Sequence, residues 1–151
     1  MAPRWLSESE LGESFDPSQI DRLADRDGDG TPDVGIVAAA IERAESRAES
    51  RLRIRFAAGD LPTTPETTSK ALKRVVAGLT WWELHQGHSL IGDAVRDVHQ
   101  AALSELSDLS RGQASTLLAG EPAVDNATPL ILQTRTRCES RFRREVLDRV
   151  L

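Results

Sequence analysis

The sequence has a single cysteine, Cys138, so an internal disulfide framework is excluded, and no base stands near it in the sequence to make it a nucleophile. Tyrosine is absent, and three tryptophans and three phenylalanines are the only aromatic residues among 151. A core so poor in large rings is thin, and a thin core leans on partners. No apolar run approaches the roughly 18 residues that a membrane span needs. The opening stretch, MAPRWLSESE, has no apolar signal-peptide segment, so the expectation is a product made and kept in the cytoplasm, with no membrane partner.

Catalytic signatures are missing too. There is no G-x-S-x-G, no phosphate-binding glycine loop, no H-E-x-x-H and no dinucleotide glycine pattern, so the chain is not expected to be an enzyme. His85 and His88 stand three apart, but His99 is distant and the cysteine lies some fifty residues on, which does not make a zinc set. The two histidines read instead as a helix end and its following turn.

What is present is charge, arranged unevenly. The net charge is −5, yet residues 134–151 hold six arginines against Glu139, Glu145 and Asp148, a net +3 that leaves −8 on the other 133 residues. An acidic body is a poor nonspecific ligand for nucleic acid; a basic tail suits phosphates or the acidic face of another protein.

The most unusual chemistry is the turn DRDGDGTPD at residues 25–33. Asp25, Asp27 and Asp29 alternate with Arg26 and Gly28, so their carboxylates converge if Gly28 and Gly30 bend the chain. The first six positions match the opening of an EF-hand calcium loop, with Asp33 at the ninth position; the twelfth, normally a bidentate glutamate, is Ile36. The turn therefore has two readings, a loose calcium site of three or four carboxylates or a solvated turn whose aspartates cap the next helix. Calcium is the one cofactor the sequence offers.

Helical patterning surrounds the turn. Ser7 with Glu10 forms a capping-box pattern, and Asp16-Pro17 opens a second short piece, so residues 7–24 are read as two short helices. A long helix is expected from Asp33 to Arg55, with Pro32 suited to its first turn and Asp33 near the positive end of its dipole. Its apolar stripe is Val37, Ile41, Ala44, Ala48 and Leu52, ending at Phe56. Arg43, Arg47, Arg51 and Arg55 make a second row, partly relieved by Glu42, Glu45 and Glu49; the row is either a solvated face or a surface for acidic residues of a neighbouring subunit. After a proline-containing loop, a helix is expected from Pro65 to Gln86, with Leu72, Val75, Val76, Leu79 and Trp82 on its apolar face. Trp81 and Trp82 are adjacent and cannot share a face. A further helix spans 92–111, stopped by Gly112.

From residue 113 the pattern breaks into short apolar runs punctuated by Gly120, Pro122, Asn126 and Pro129, with Leu130–Leu132 able to pair as a strand. The last segment, around Arg141, Phe142, Arg143 and Arg144, returns to helical spacing. The fold class expected is all-α: a small helical bundle over residues 1–118, followed over 119–151 by a long, partly extended C-terminal arm that ends in a short helix.

The acidic DRDGDG turn some 25 residues in, the Ala/Arg/Glu helix behind it, and Phe56 followed by Leu61-Pro62 resemble the phage Mu-type head-tail connector, or adaptor, family over residues 5–118. The ending, with Phe142, Arg143, Glu145 and Leu147, is similar to that of family members. The resemblance implies a structural virion protein of the neck, made in the host cytoplasm. It implies copies assembled in a ring, typically of twelve, between a portal protein and a stopper or tail-completion protein, with genomic DNA passing through the lumen without sequence recognition. Gene transfer agents use the same part. On this reading the arginine row and residues 141–144 are the candidate subunit and partner contacts. Two other classes stand beside it: a calcium-binding interaction module built on Asp25–Asp29, and a small DNA-binding protein working through the arginine-rich tail.

Overall fold

The structure, a computed structural model, describes residues 4–86, 88 and 91–112. Five α-helices follow in order: α1 (Glu8–Ser14), α2 (Pro17–Ala24), α3 (Ile36–Leu52), α4 (Lys70–His85) and α5 (Asp93–Arg111). Among the described residues there is no strand, so the body is all-α as expected. Residues from 113 onward, with the strand expected at 130–132, Cys138, the expected domain boundary at 118 and the expected closing helix, lie outside the described residues.

The short helices begin where the capping chemistry says. Ser7 and Glu10 satisfy each other's backbone N–H groups at the start of α1, and Asp16 accepts from the Ser18 N–H with Pro17 in the first turn of α2. α3 and α4 start at later residues than expected. α3 begins at Ile36, not Asp33: the Asp33 N–H is taken by the Ala24 carbonyl, its carboxylate accepts from the Arg26 N–H, and Gly35 turns the chain at φ +83° before the helix can start. Pro32 and Asp33 thus belong to the turn, and α3 starts without a side-chain cap. α4 begins at Lys70, not Pro65, because Pro65–Thr67 close a separate 3-10 turn and Ser69 is the residue whose hydroxyl caps the helix, accepting from the Leu72 N–H.

α4 is the centre of the bundle and packs on all four other helices. Leu72, Val75, Val76, Leu79 and Leu84 are fully buried along it. From α3 the core receives Ile41 and Leu52 with three alanines, Ala40, Ala44 and Ala48. A buried methyl is worth roughly 0.8 kcal/mol against 1.5–3 for a leucine, so α3 comes close to α4 while gaining little per turn. The adjacent tryptophans divide as their spacing requires. Trp81 is buried and stacks on Phe15 (4.4 Å, 2°); Trp82 is half-buried and stacks on His99 of α5 (4.3 Å, 9°).

The N-terminal segment is fastened to the bundle. Trp5 and Leu6 are buried, and the Trp5 indole N–H donates to the Pro62 carbonyl at 2.7 Å. Glu45, itself 4% exposed, accepts from the backbone N–H groups of Arg4 (2.9 and 3.1 Å), Trp5 (2.7 Å) and Leu6 (3.3 Å). It therefore does not relieve the arginine row. Glu49 pairs with Arg53, at 2.9 Å from its Nε, and with Arg4, neither of which belongs to the row.

Candidate functional site in the acidic turn and the arginine row

The acidic turn is held by its own carboxylates. Asp25 ends α2 and accepts from the N–H groups of Gly28 (2.7 Å) and Gly30 (2.9 Å), one on each oxygen. Asp27 accepts from the Asp29 N–H at 3.1 Å, and Asp29 accepts from both the N–H (2.7 Å) and the hydroxyl (2.5 Å) of Thr31. Gly28 and Gly30 have φ of +78° and +89°, conformations that side chains rarely adopt. The aspartates thus cap the turn itself and leave the start of α3 uncapped.

The result is a cluster in which one oxygen each from Asp25, Asp27 and Asp29 lies within 4.8 Å of the others. Hard cations bound at 2.3–2.6 Å to each oxygen need ligand oxygens at about this mutual spacing, so these three are the residues that could hold calcium. Asp33, the fourth candidate, has one oxygen engaged by the Arg26 N–H at 2.9 Å, and Ile36 offers no ligand. The Thr31 hydroxyl, and after it the Thr31 N–H, lower the pKa of the Asp29 carboxyl. The turn is docked on the bundle by the Arg26 guanidinium, which donates to the Leu84 carbonyl at 3.4 Å. His88 Nε2 reaches the Leu23 carbonyl at 3.2 Å.

The arginine row runs down α3 and past its end. Arg47 approaches Glu83 Oε1 of α4 at 2.8 Å and Arg43 approaches Oε2 at 3.4 Å. Glu83 is 6% exposed; its Oε1 contact is an ion pair outside hydrogen-bond geometry, so the carboxylate is neutralised more than it is hydrogen-bonded. Arg43 and Arg47 keep 54% and 42% of their side chains exposed and so have surface left for a second contact. Arg51 is exposed, and Arg55 lies over the Phe56 ring at 5.5 Å. Arg141, Phe142, Arg143 and Arg144 lie outside the described residues.

Behind Glu83 sits His99, whose Nε2 is buried without a hydrogen-bond partner. Burial lowers its pKa, and Arg47 adds to this, against the opposing pull of Glu83. Neither Glu83 nor Glu45 was singled out as buried from the sequence. The signal was there: Glu45 falls on the arc of α3 that carries Ile41, Ala48 and Leu52, and Glu83 lies four residues from Leu79.

Among the described residues no helix is long and apolar enough to cross a membrane. The model of the family described as Bacteriophage Mu, Gp36 matches residues 5–131, the described body and part of the segment that follows. No curated protein matches the chain.

Proposed function

The chain belongs to the bacteriophage Mu Gp36 family, and from that premise we propose that it is a structural head-tail connector rather than an enzyme. Copies form a ring in the neck of a phage or of a phage-like particle such as a gene transfer agent, between the portal and the stopper or tail-completion protein. DNA passes through the lumen and is contacted without sequence recognition. The observation that carries the reading is the family match across residues 5–131. The bundle supports it: an alanine-lined α3 buries little by itself and favours further burial against neighbours. Deleting the gene is expected to leave filled heads and complete tails unjoined, with joining restored by the gene in trans. Normal particles from the deletion strain overturn the reading.

A second reading, a calcium-binding interaction module, is favoured by the approach of Asp25, Asp27 and Asp29 oxygens to within 4.8 Å. Calorimetry of the full chain with calcium separates the two. Tight binding with a rise in helicity supports the module; a response confined to residues 25–33, or none, supports the connector.

A further inference from the structure

An apolar groove lies between the end of α1, α4 and α5. It measures about 570 Å³ and is floored by Phe15, Ala77, Gly78, Val98, Ala101 and Ala102. Small residues make it: a Cβ on Gly78 would stand 3.0 Å from that of Ala102, so the helices approach closely there and no long side chain fills the flank. One lip carries the exposed Arg74, whose guanidinium donates to both carboxylate oxygens of Glu105 at 3.1 and 2.5 Å. That pair is neutral, so the groove calls for apolar surface and not for a charge.

The groove leads to the point where the chain leaves the described body. Val98, Glu105 and Gly112 are spaced by sevens, a drift of only about 20° per step, so Gly112 continues the edge of α5 that the groove follows. There the chain turns out of the helix, with Gly112 at φ +71°. The next eight residues, Gln113 to Gly120, read QASTLLAG: they carry no charge, and Leu117, Leu118 and Ala119 are their apolar run. Ala101, in the middle of the floor, lies eleven residues back along α5, about 16 Å. Five extended residues, from Gly112 to Leu117, span about 17 Å. The first leucines after the helix therefore reach the floor. The family match, which runs on to residue 131, takes this run together with the body.

We propose that the run Leu117–Ala119 of the same chain closes this groove, lying antiparallel to α5 over Ala101 and Gly78. The two leucines supply the aliphatic bulk that Gly78 and the alanines leave out, while Gln113–Thr116 carry the backbone past the Arg74–Glu105 lip. An uncharged run suits a lip that is already neutral. The four-residue link favours the chain's own groove over that of a neighbour, because it holds the run there at high effective concentration. The body then ends at Ala119 and not at Gly112. Residues 120–151, with the six arginines of the tail, leave from the α1 side of the groove and not from the tip of α5. The inference stands apart from the connector reading and does not need it.

Disulfide trapping in the full chain is the test, with the native thiol removed by Cys138→Ser. Neighbouring residues of an extended run point to opposite faces, so two pairs are made, A101C with L117C and A101C with L118C, beside a control, A101C with A127C. Ala101 is exposed, so its substitution keeps the fold, which circular dichroism checks. Under mild oxidation one leucine pair is expected to close within a single chain, seen as a faster monomer band without reductant, at least about tenfold sooner than the control. A disulfide between two chains overturns the proposal, since a second copy then fills the groove; closure no faster than the control overturns it as well. A second measurement leaves the run uncrosslinked. In A101C/C138S the thiol is expected to react with a maleimide at least about tenfold faster once L117S and L118S are added together. An unchanged rate, with helicity intact, means that the leucines do not cover the floor, and the proposal falls. The connector reading is judged separately, by the joining of heads to tails.

Discussion

The two sides of α4 use small residues alike and finish differently. Toward α3, Ala40, Ala44 and Ala48 let the helices close, and the seam is crossed by the long side chains of Arg43 and Arg47 reaching Glu83. Toward α5, Gly78 allows a close approach, and among the described residues the seam is spanned by Arg74–Glu105 near one end and Trp82 stacked on His99 near the other. An apolar groove of about 570 Å³ beside Ala77, Gly78, Val98 and Ala102 stays open there, whereas the depression of about 480 Å³ over the α3 seam is lined by Arg43, Arg47 and Glu83. A close approach of helix backbones therefore does not by itself seal an interface; the arginines laid over the α3 seam make its opening polar without closing it.

The comparison is broken most severely at Leu79, fully buried and about 40° around α4 from Glu83. Leu79→Ala is expected to cost about 2–5 kcal/mol in denaturant unfolding, because the neighbouring alanines cannot collapse into the space. On the other side, Gly78→Leu is expected to cost about 1–3 kcal/mol by overpacking against Ala102; an unchanged midpoint would show slack in the α4–α5 seam. The cover over the α3 seam is weaker. Glu83→Gln is expected to lose about 1 kcal/mol, because both arginine partners are about half exposed and solvent screens them.

A pH series sharpens the comparison at His99. Its pKa is lowered by burial, so the neutral imidazole is the form the fold prefers. The stability this gives is complete above the ordinary value of 6.5 and is lost as pH falls through the lowered one, since the unfolded chain takes the proton first. His99→Gln should flatten that fall, and a wild-type midpoint constant from pH 7.5 to about 5 would contradict it. The smallest effect is expected at the turn. Asp29→Ala removes a fully exposed carboxylate, leaves the unfolding midpoint of the bundle nearly unchanged, and reduces any calcium heat seen with wild type.

The five helices were legible because their periodicity and caps are local: Ser7 with Glu10, Asp16 with Pro17, and Gly112 stopping α5 at φ +71°. The starts of α3 and α4 were not, since Asp33 was claimed by Arg26 and Ala24 across the turn and Pro65 by its own 3-10 turn, outcomes set by tertiary pairing and loop closure. The convergence of Asp25, Asp27 and Asp29 was readable from alternation and glycines. The fastening of Trp5 by Pro62 and Glu45 was not, because partners 57 and 40 residues away leave no trace in a local pattern. The groove was equally hidden, since an opening is made by what two helices fail to cover.

Electron cryomicroscopy of the neck of particles carrying this chain tests the central claim most directly. The account predicts a ring of copies between filled head and tail. A neck from which the chain is absent, or in which it stands as a separate monomer, would contradict it.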